Sequence, residues 1–295
     1  MAPRIGINPL TWTNDDMPEL GGATPLETCL AEAREAGYEG IEMGHKFPRT
    51  AAELRPILDR PGLSLVSGWY SANLMERTEE EEIAAVEGHL TLLGEMGCPV
   101  MVFAEAMGST HGRREAPISA RPQLADDEWA PFGERLTRVA EHLASRGVAM
   151  AYHHHMGTVI ETEAEVDRLM ACTGVAVGLL LDTGHLGFAG ADAVAVAARH
   201  GGRINHVHCK DVRADVLEKA RGGDMSFLDA VLDGVFTVPG DGAIDFAAVL
   251  AALRPFAYSG WLVVEAEQDP AKAHPLTYAR MGIEGVRSAV AAAGL

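Results

Sequence analysis

The 295-residue chain has 24 Lys and Arg against 42 Asp and Glu, a net charge of −18, and 47% apolar and 22% charged residues. This composition excludes a disordered tail and disfavours nucleic acid as a partner, and no stretch is long and apolar enough to span a bilayer. The four cysteines have no CxxC spacing, so we expect reduced thiols in a soluble, cytoplasmic protein that binds small molecules or metal ions.

Short apolar runs recur along the chain, and most are followed by a stretch with helical spacing, which predicts βα units that form a parallel sheet. The predicted strands are 5–8, 40–43, 63–67, 100–105, 148–153, 177–182, 204–208 and 262–265. The predicted helices are 27–36, 51–58, 79–96, 127–146, 163–170, 192–200 and 246–253. Eight strands in one chain, without GxGxxG after the first, favour a single (β/α)8 TIM barrel over residues 1–295 rather than a dinucleotide-binding fold.

Two predicted connections are unusually long: 106–126 after strand four and 212–244 after strand seven. Both would lie on the C-terminal face, where barrels of this type carry their active sites. We expect them to act as lids over a site, and ordinary surface insertions are the alternative.

Polar side chains end the last four predicted strands, although a buried strand should be apolar throughout. Side chains alternate between the two faces of a strand, and this alternation pairs residues on one face within each strand. The residues placed in this way are His153 with His155, Asp182, His208 with Lys210, and Glu265 with Glu267, while His185 begins the loop after strand six.

His153, Asp182, His208 and Glu265 come from four consecutive predicted strands and therefore meet at one rim. Two imidazoles and two carboxylates suit Mn²⁺, Co²⁺, Zn²⁺ or Fe²⁺, so the sequence predicts a metal site. Taken singly, each residue could instead be a hydrogen-bonded core histidine or a capping carboxylate. His155 or Glu267 could also replace His153 or Glu265 as a ligand.

Four further residues could line the same mouth: Asn8, Glu42, Trp69 and Glu105. For Glu42 and Trp69, a rim salt bridge or simple packing explains the residue equally well. The outer helix at 192–200 is apolar enough to pack on a second subunit, but burial against the barrel explains it as well, so the sequence leaves the oligomeric state open.

Several segments resemble the xylose isomerase-like superfamily and, within it, the myo-inosose-2 dehydratase family, from about residue 5 to residue 278. They are INPLTWTNDDMPELGG, YHHHMGT, LLLDTGHLGFAG, INHVHCKDVR, TVPGDGAIDF and YSGWLVVEAEQDPAKA. The resemblance implies metal ligands at His153, Asp182, His208 and Glu265, with His185 and Lys210 near the substrate. It also implies Mn²⁺ or Co²⁺ as the cofactor and a glutathione requirement, for which the sequence has no residue pattern of its own.

The activity implied by the resemblance is the elimination of water from 2-keto-myo-inositol (scyllo-inosose), a polyol ketone, to give a trihydroxycyclohexane-1,2-dione. His155, His185, Lys210, Glu265 and Glu267 are the candidate acids and bases. We expect His185 or Lys210 to act at the oxygen and a strand-eight carboxylate to act at the carbon.

Epimerases of the superfamily generally have Glu at the position of His153. The exchange changes the ligand charge from about −3 to about −2, and it removes one carboxylate of a two-carboxylate proton shuttle. It therefore favours a dehydratase over the main alternative, a ketose or inosose isomerase or epimerase.

Overall fold

The apolar runs of the sequence form a closed barrel of parallel strands in a computed structural model that describes residues 3–295. The barrel strands are β1 Arg4–Ile7, β2 Gly40–Met43, β3 Ser64–Ala72, β4 Val100–Glu105, β5 Ala149–His153, β6 Val177–Asp182, β7 Ile204–Cys209 and β10 Trp261–Val264. They are neighbours in chain order, and β10 closes the circle by pairing with β1, where Ile5 lies opposite Leu262. The predicted (β/α)8 barrel is confirmed.

Helices follow the strands, and most of them pack around the outside of the barrel. They are α1 Leu26–Ala36, α2 Ala51–Asp59, α3 Glu79–Met96, α4 Trp129–Ser145, α5 Glu163–Cys172, α6 Thr183–Ala189, α7 Ala193–His200, α8 Ala214–Gly222, α9 Phe227–Asp233, α10 Phe246–Leu253 and α11 Pro275–Ala293. Thr78 and Thr162 begin α3 and α5 with reciprocal capping boxes, which fixes where these helices start. Within residues 3–295, no helix is both long and apolar enough to cross a membrane.

Four helices are not predicted by the sequence pattern: α6, α8, α9 and α11. The predicted loop 212–244 is instead an ordered insertion that contains α8, α9 and an antiparallel pair of short strands, β8 Asp211–Val212 and β9 Phe236–Thr237. Its apolar residues form a second hydrophobic cluster with residues from the loops above the barrel. The predicted loop 106–126 contains one short 3-10 helix, Ile118–Ala120.

The barrel interior is apolar at its floor and polar at the C-terminal ends of the strands. The floor is filled by Val66, Trp261 and Val263, with Ala151 and Leu180 in a neighbouring cluster. The outward-facing strand residues pack against the helices in the main core. The polar residues of the barrel interior therefore gather at the C-terminal end of the strands.

Two residues lie differently from the sequence expectation. β3 continues to Ala72, so Trp69 lies within this strand and not after it. Glu105 points away from the barrel interior, and its carboxylate accepts hydrogen bonds from the backbone N–H of Leu74 (2.7 Å) and of Met107 (3.0 Å). Glu105 therefore holds the loops that follow β3 and β4 and does not line the mouth.

Candidate active site

A cavity of about 270 Å³ opens at the C-terminal end of the barrel. This volume is close to the lower end of the roughly 300–1,000 Å³ common for small-molecule sites. The lining residues are Asn8, Leu10, Asp15, Asp16, Glu42, Met43, Trp69, Ser71, Val102, His111, His153, His155, His208, Glu265 and Glu267. The wall formed by strands β5, β7 and β10 and the residues after them carries imidazoles and carboxylates.

The structure brings His153, Asp182, His208 and Glu265 together, with one ligand atom of each within 4.8 Å of the others. Asp182 Oδ2 lies 3.6 Å from His153 Nε2 and 3.4 Å from His208 Nδ1. His208 Nδ1 lies 2.9 Å from Glu265 Oε2. All four side chains are buried.

Local structure aims these atoms at one point. Asp182 is the N-cap of α6, and its Oδ1 accepts a hydrogen bond from the backbone N–H of His185 at 2.8 Å, which leaves Oδ2 turned toward the cluster. The Nδ1 of His153 donates to the carbonyl oxygen of His154 at 2.5 Å, so its Nε2 carries the lone pair. In parallel register, Asp182 lies directly opposite His208.

This donor set fits a divalent cation. Asp182 Oδ2 and His208 Nδ1 are buried and make no well-aligned hydrogen bond among the described residues, in spite of their short contacts with each other and with Glu265. A buried polar atom without such a bond is costly. Ligand atoms about 2.0–2.2 Å from one ion lie roughly 3–3.6 Å apart, which matches the three separations above. The mixture of imidazole and carboxylate suits Mn²⁺, Co²⁺, Zn²⁺ or Fe²⁺.

A second group consists of His155, His185 and Glu267, whose ligand atoms also converge within 4.8 Å. Its members already have partners: the Nδ1 of His155 donates to the carbonyl oxygen of Met156 at 2.7 Å. The Nζ of Lys210 lies 2.6 Å from Glu267 Oε1, 2.6 Å from Glu265 Oε1 and 3.0 Å from His185 Nε2. Three contacts match the three protons of an ammonium group, so Lys210 joins the two groups.

The charges of this buried site follow from burial and from Lys210. Burial acts to lower the pKa of Lys210, but Glu265 and Glu267 outweigh it and raise the pKa above the ordinary lysine value. Burial raises the pKa of Glu267 to about 7, against the attraction of Lys210. Burial also acts to raise the pKa of Asp182, but Lys210 and His185 outweigh it and hold this pKa well below its usual range. Burial, followed by neighbouring positive charge, also lowers the pKa of His155 and of His185.

The eight residues that the sequence suggested as metal ligands or catalytic groups divide into those that line the cavity and those that lie behind its wall. His153, His155, His208, Glu265 and Glu267 line the cavity, whereas Asp182, His185 and Lys210 lie behind the wall and contact those residues. His185 and Lys210 were expected near the substrate, and the structure places them one layer back.

Asn8, Glu42 and Trp69 line the cavity as the sequence suggested, but other residues on the same side were not identified from the sequence. Asp15 and Asp16 come from the segment after β1, and His111 comes from the loop after β4, with His111 Nε2 3.9 Å from Asp16 Oδ1. Trp69 packs edge-on against His153 and His155, with ring centroids 5.4 Å and 5.6 Å away. For His111, the length of the loop 106–126 was the available signal, and Asp15 and Asp16 lie in the first of the segments that carry the family resemblance. Neither signal shows which side chain points inward, because loop residues follow no period.

Comparisons with known proteins agree with this architecture. The family model for the xylose isomerase-like TIM barrel matches residues 30–289. The chain is 56% identical to a rhizopine catabolism protein of Rhizobium meliloti over 100% of this chain and 90% of that protein. It is 47% identical to the inosose dehydratase of Geobacillus thermodenitrificans over 96% of each chain. The crystal structure of the IOLI protein with a binding zinc atom superposes with a TM-score of 0.63 at 18% identity, covering 99% of this chain and 98% of that one.

The chain belongs to the xylose isomerase-like TIM-barrel family, within which it groups with the inosose dehydratases. It is an enzyme of the dehydratase class and is related to inositol catabolism.

Proposed function

We propose that the protein is a divalent-metal-dependent hydro-lyase that removes water from 2-keto-myo-inositol and produces a trihydroxycyclohexane-1,2-dione. The observation that carries this proposal is the buried cluster of His153, Asp182, His208 and Glu265, with unpaired ligand atoms at the end of a cavity suited to one small polyol ring. The 47% identity to an inosose dehydratase supports the substrate class.

The metal would be held by these four residues, and its contribution when bound would be Lewis-acid polarisation of the ketone oxygen. The Mn²⁺ or Co²⁺ expected from the sequence is our proposal for the ion, and the zinc atom bound by the IOLI protein supports a divalent cation in a barrel of this fold. A glutathione requirement stays an expectation from the family resemblance.

The proton transfers are assigned to residues that touch the cavity. Elimination removes the proton on the hydroxyl-bearing carbon beside the ketone and expels the hydroxyl on the next carbon, and the resulting enol tautomerises to the dione. We assign removal of the proton on carbon to the lone pair on His155 Nε2, since Nδ1 donates to Met156 and burial lowers the pKa of His155. Protonation of the departing hydroxyl is assigned to Glu267, whose pKa burial raises to about 7, and both residues line the cavity. This assignment differs from the sequence expectation of a strand-eight carboxylate at the carbon.

Lys210 and His185 then act through these two residues. Lys210 donates to Glu267 Oε1 at 2.6 Å and fixes the orientation of this carboxylate. His185 lies against His155, with ring centroids 3.9 Å apart, and limits the rotation of that imidazole. They are positioning residues in this scheme because they lie behind the wall.

The cellular location and the partners of the protein also belong to this proposal. All four cysteines carry free thiols, which supports the expected cytoplasmic location. The expected partner is the polyol ketone alone, and the oligomeric state stays open.

Incubation of the purified protein with scyllo-inosose tests the reaction. We expect ultraviolet absorbance from the enolised dione to appear, to disappear on chelation, and to return with Mn²⁺ or Co²⁺. Formation of an epimeric keto-inositol without absorbance would instead identify an epimerase.

The variant His208→Ala tests the ligand assignment. We expect it to lose bound metal and turnover together, whereas His200→Ala, which removes an imidazole on α7 bonded to Asp167, should retain both. A folded His208→Ala protein that keeps stoichiometric metal would refute the assignment.

A further inference from the structure

Glu42 is a buried carboxylate beneath the metal-ligand cluster that the proposed mechanism does not use. It lies on β2 and is 2% exposed. Its Oε1 accepts hydrogen bonds from Ser67 Oγ (2.5 Å), His206 Nε2 (2.8 Å) and His208 Nε2 (3.2 Å). Its Oε2 accepts from Asn8 Nδ2 at 2.7 Å. Donors from three other parts of the barrel therefore converge on one side chain.

The bond from His208 selects the tautomer of that imidazole. Donation from Nε2 to Glu42 places the proton on Nε2 and leaves the lone pair of the neutral ring on Nδ1. Nδ1 is the atom that faces Asp182 Oδ2 at 3.4 Å and Glu265 Oε2 at 2.9 Å. Glu42 therefore aims the nitrogen of His208 that a cation would use.

Asn8 links Glu42 to a second proposed ligand, Glu265, by hydrogen bonds. Its Nδ2 donates both to Glu42 Oε2 and, at 2.9 Å, to Glu265 Oε2. Its Oδ1 accepts from the backbone N–H of Leu10 at 3.0 Å, so the amide cannot rotate without losing all three bonds. Glu42 and Asn8 together orient two of the four proposed ligands.

A second metal site at this point is disfavoured, although Glu42, His206 and His208 each place a ligand atom within 4.8 Å of the others. Both imidazoles use Nε2 as the donor to Glu42, so the nitrogens nearest the carboxylate carry protons and no lone pair. The arrangement is a hydrogen-bonded carboxylate–histidine pair of the kind that supports metal ligands from outside the coordination sphere.

We propose that Glu42 is a positioning residue that fixes the tautomer and orientation of His208 and, through Asn8, the orientation of Glu265 for binding of a divalent cation. This inference rests on the proposed metal site and is independent of which ketone the enzyme dehydrates.

The first test measures Mn²⁺ binding to the metal-free protein by electron paramagnetic resonance, without substrate. We expect Glu42→Gln to weaken the affinity about 10–100-fold, the range found for partners of metal ligands. Ser67→Ala is the matched control, since it removes a bond to the same Oε1 but leaves the acceptor of His208 in place, and we expect less than a threefold change. At saturating Mn²⁺, kcat of Glu42→Gln should recover toward the wild-type value.

The results separate this inference from the proposed function. A wild-type protein that binds no divalent metal would refute the metal site itself. Wild-type binding together with unchanged Mn²⁺ affinity in folded Glu42→Gln would overturn only the role of Glu42, and so would an affinity loss of equal size in Ser67→Ala.

A second measurement uses only the wild-type protein, so it tests the inference even if Glu42→Gln does not fold. Nitrogen-15 NMR of the zinc-loaded wild-type protein reports which ring nitrogen of His208 is protonated. We expect a proton on Nε2 and metal on Nδ1. A proton on Nδ1 would overturn the inference.

Discussion

Lys210 is fully buried between Glu265 and Glu267, and its ammonium group also contacts His185. Breaking a buried ion pair by removing one partner leaves the other charge without compensation, at a cost of about 3–5 kcal/mol. We therefore expect Lys210→Met to lower the free energy of unfolding by about this amount, measured by urea titration, and to reduce turnover at least tenfold.

The matched control for Lys210 is Lys219→Met, which removes a lysine that is 67% exposed and paired with Asp233 on the surface. Exposed pairs contribute at most about 1 kcal/mol, so this change should be nearly neutral. Equal destabilisation by the two substitutions would show that burial of the Lys210 network is not what makes it important.

Glu105 makes folding stability depend on pH. Burial raises its pKa from the ordinary 4.5 to about 7, against hydrogen bonds from the backbone of Met107 and Leu74. The raised pKa favours the protonated carboxyl in the folded protein, so its stabilisation is complete below about pH 4.5 and is lost as the pH rises through about 7.

Glu105→Gln should therefore lower the free energy of unfolding, relative to wild type, by more at pH 5 than at pH 8. Urea unfolding at both values should show the difference between variant and wild type shrinking by an amount on the order of 2 kcal/mol. A difference that stays constant or grows with pH would contradict the raised pKa.

At the scale of elements, Asp211 organises the insertion that follows β7. Its buried carboxylate accepts four backbone N–H bonds at 2.8–3.2 Å, from Val212, Gly240, Gly242 and Ile244. A Cβ at Gly242 would lie 2.3 Å from Asp211 Oδ1, and Gly240 has a φ of +95°, so the turn requires glycine at both positions.

Asp211→Ala should loosen this insertion. Phe227 and Phe236 of the insertion pack against His185, with ring centroids 5.8 Å and 5.4 Å away, so we expect a higher KM and faster proteolysis near residues 240–243. Asp215→Ala, in the exposed first turn of α8, is the control and should change neither measurement. An unchanged cleavage rate in Asp211→Ala would contradict this role.

The elements also show what sequence periodicity could predict. The barrel strands could be predicted from the sequence because buried parallel strands are continuous apolar runs. Helix α6 was not, because it contains Gly184 and glycine is a poor helix former. A Cβ at Gly184 would lie 2.4 Å from Lys210 Cγ, so this residue is set by tertiary packing that no local pattern reveals.

The site was predictable to a similar extent. His153, His208 and Glu265 could be placed on one face because strand side chains alternate with period two. Asp16 and His111 could not, since they lie in segments without such a period. Glu42 was recognised, but its partners come from strands distant in sequence, so its contacts required the closed barrel.

For the whole molecule, the proposed metal should couple binding to thermal stability. A ligand that binds only the folded state at 100 times its Kd stabilises by about 2.7 kcal/mol, which corresponds to about 4 °C in Tm for a chain of this size. Calorimetry should show this rise when Mn²⁺ is added to chelated wild-type protein and no rise in His208→Ala. A shift of equal size in the variant would place the stabilising metal elsewhere.

The barrel is closed by contact between its first and last strands, and Asn8 reaches Glu265 across 257 positions of the chain. During synthesis on the ribosome, a nascent chain that has reached only β7 cannot yet complete either the circle or the site. Premature termination before residue 261 should therefore give a product with an open sheet edge, prone to aggregation, rather than a fragment with partial activity.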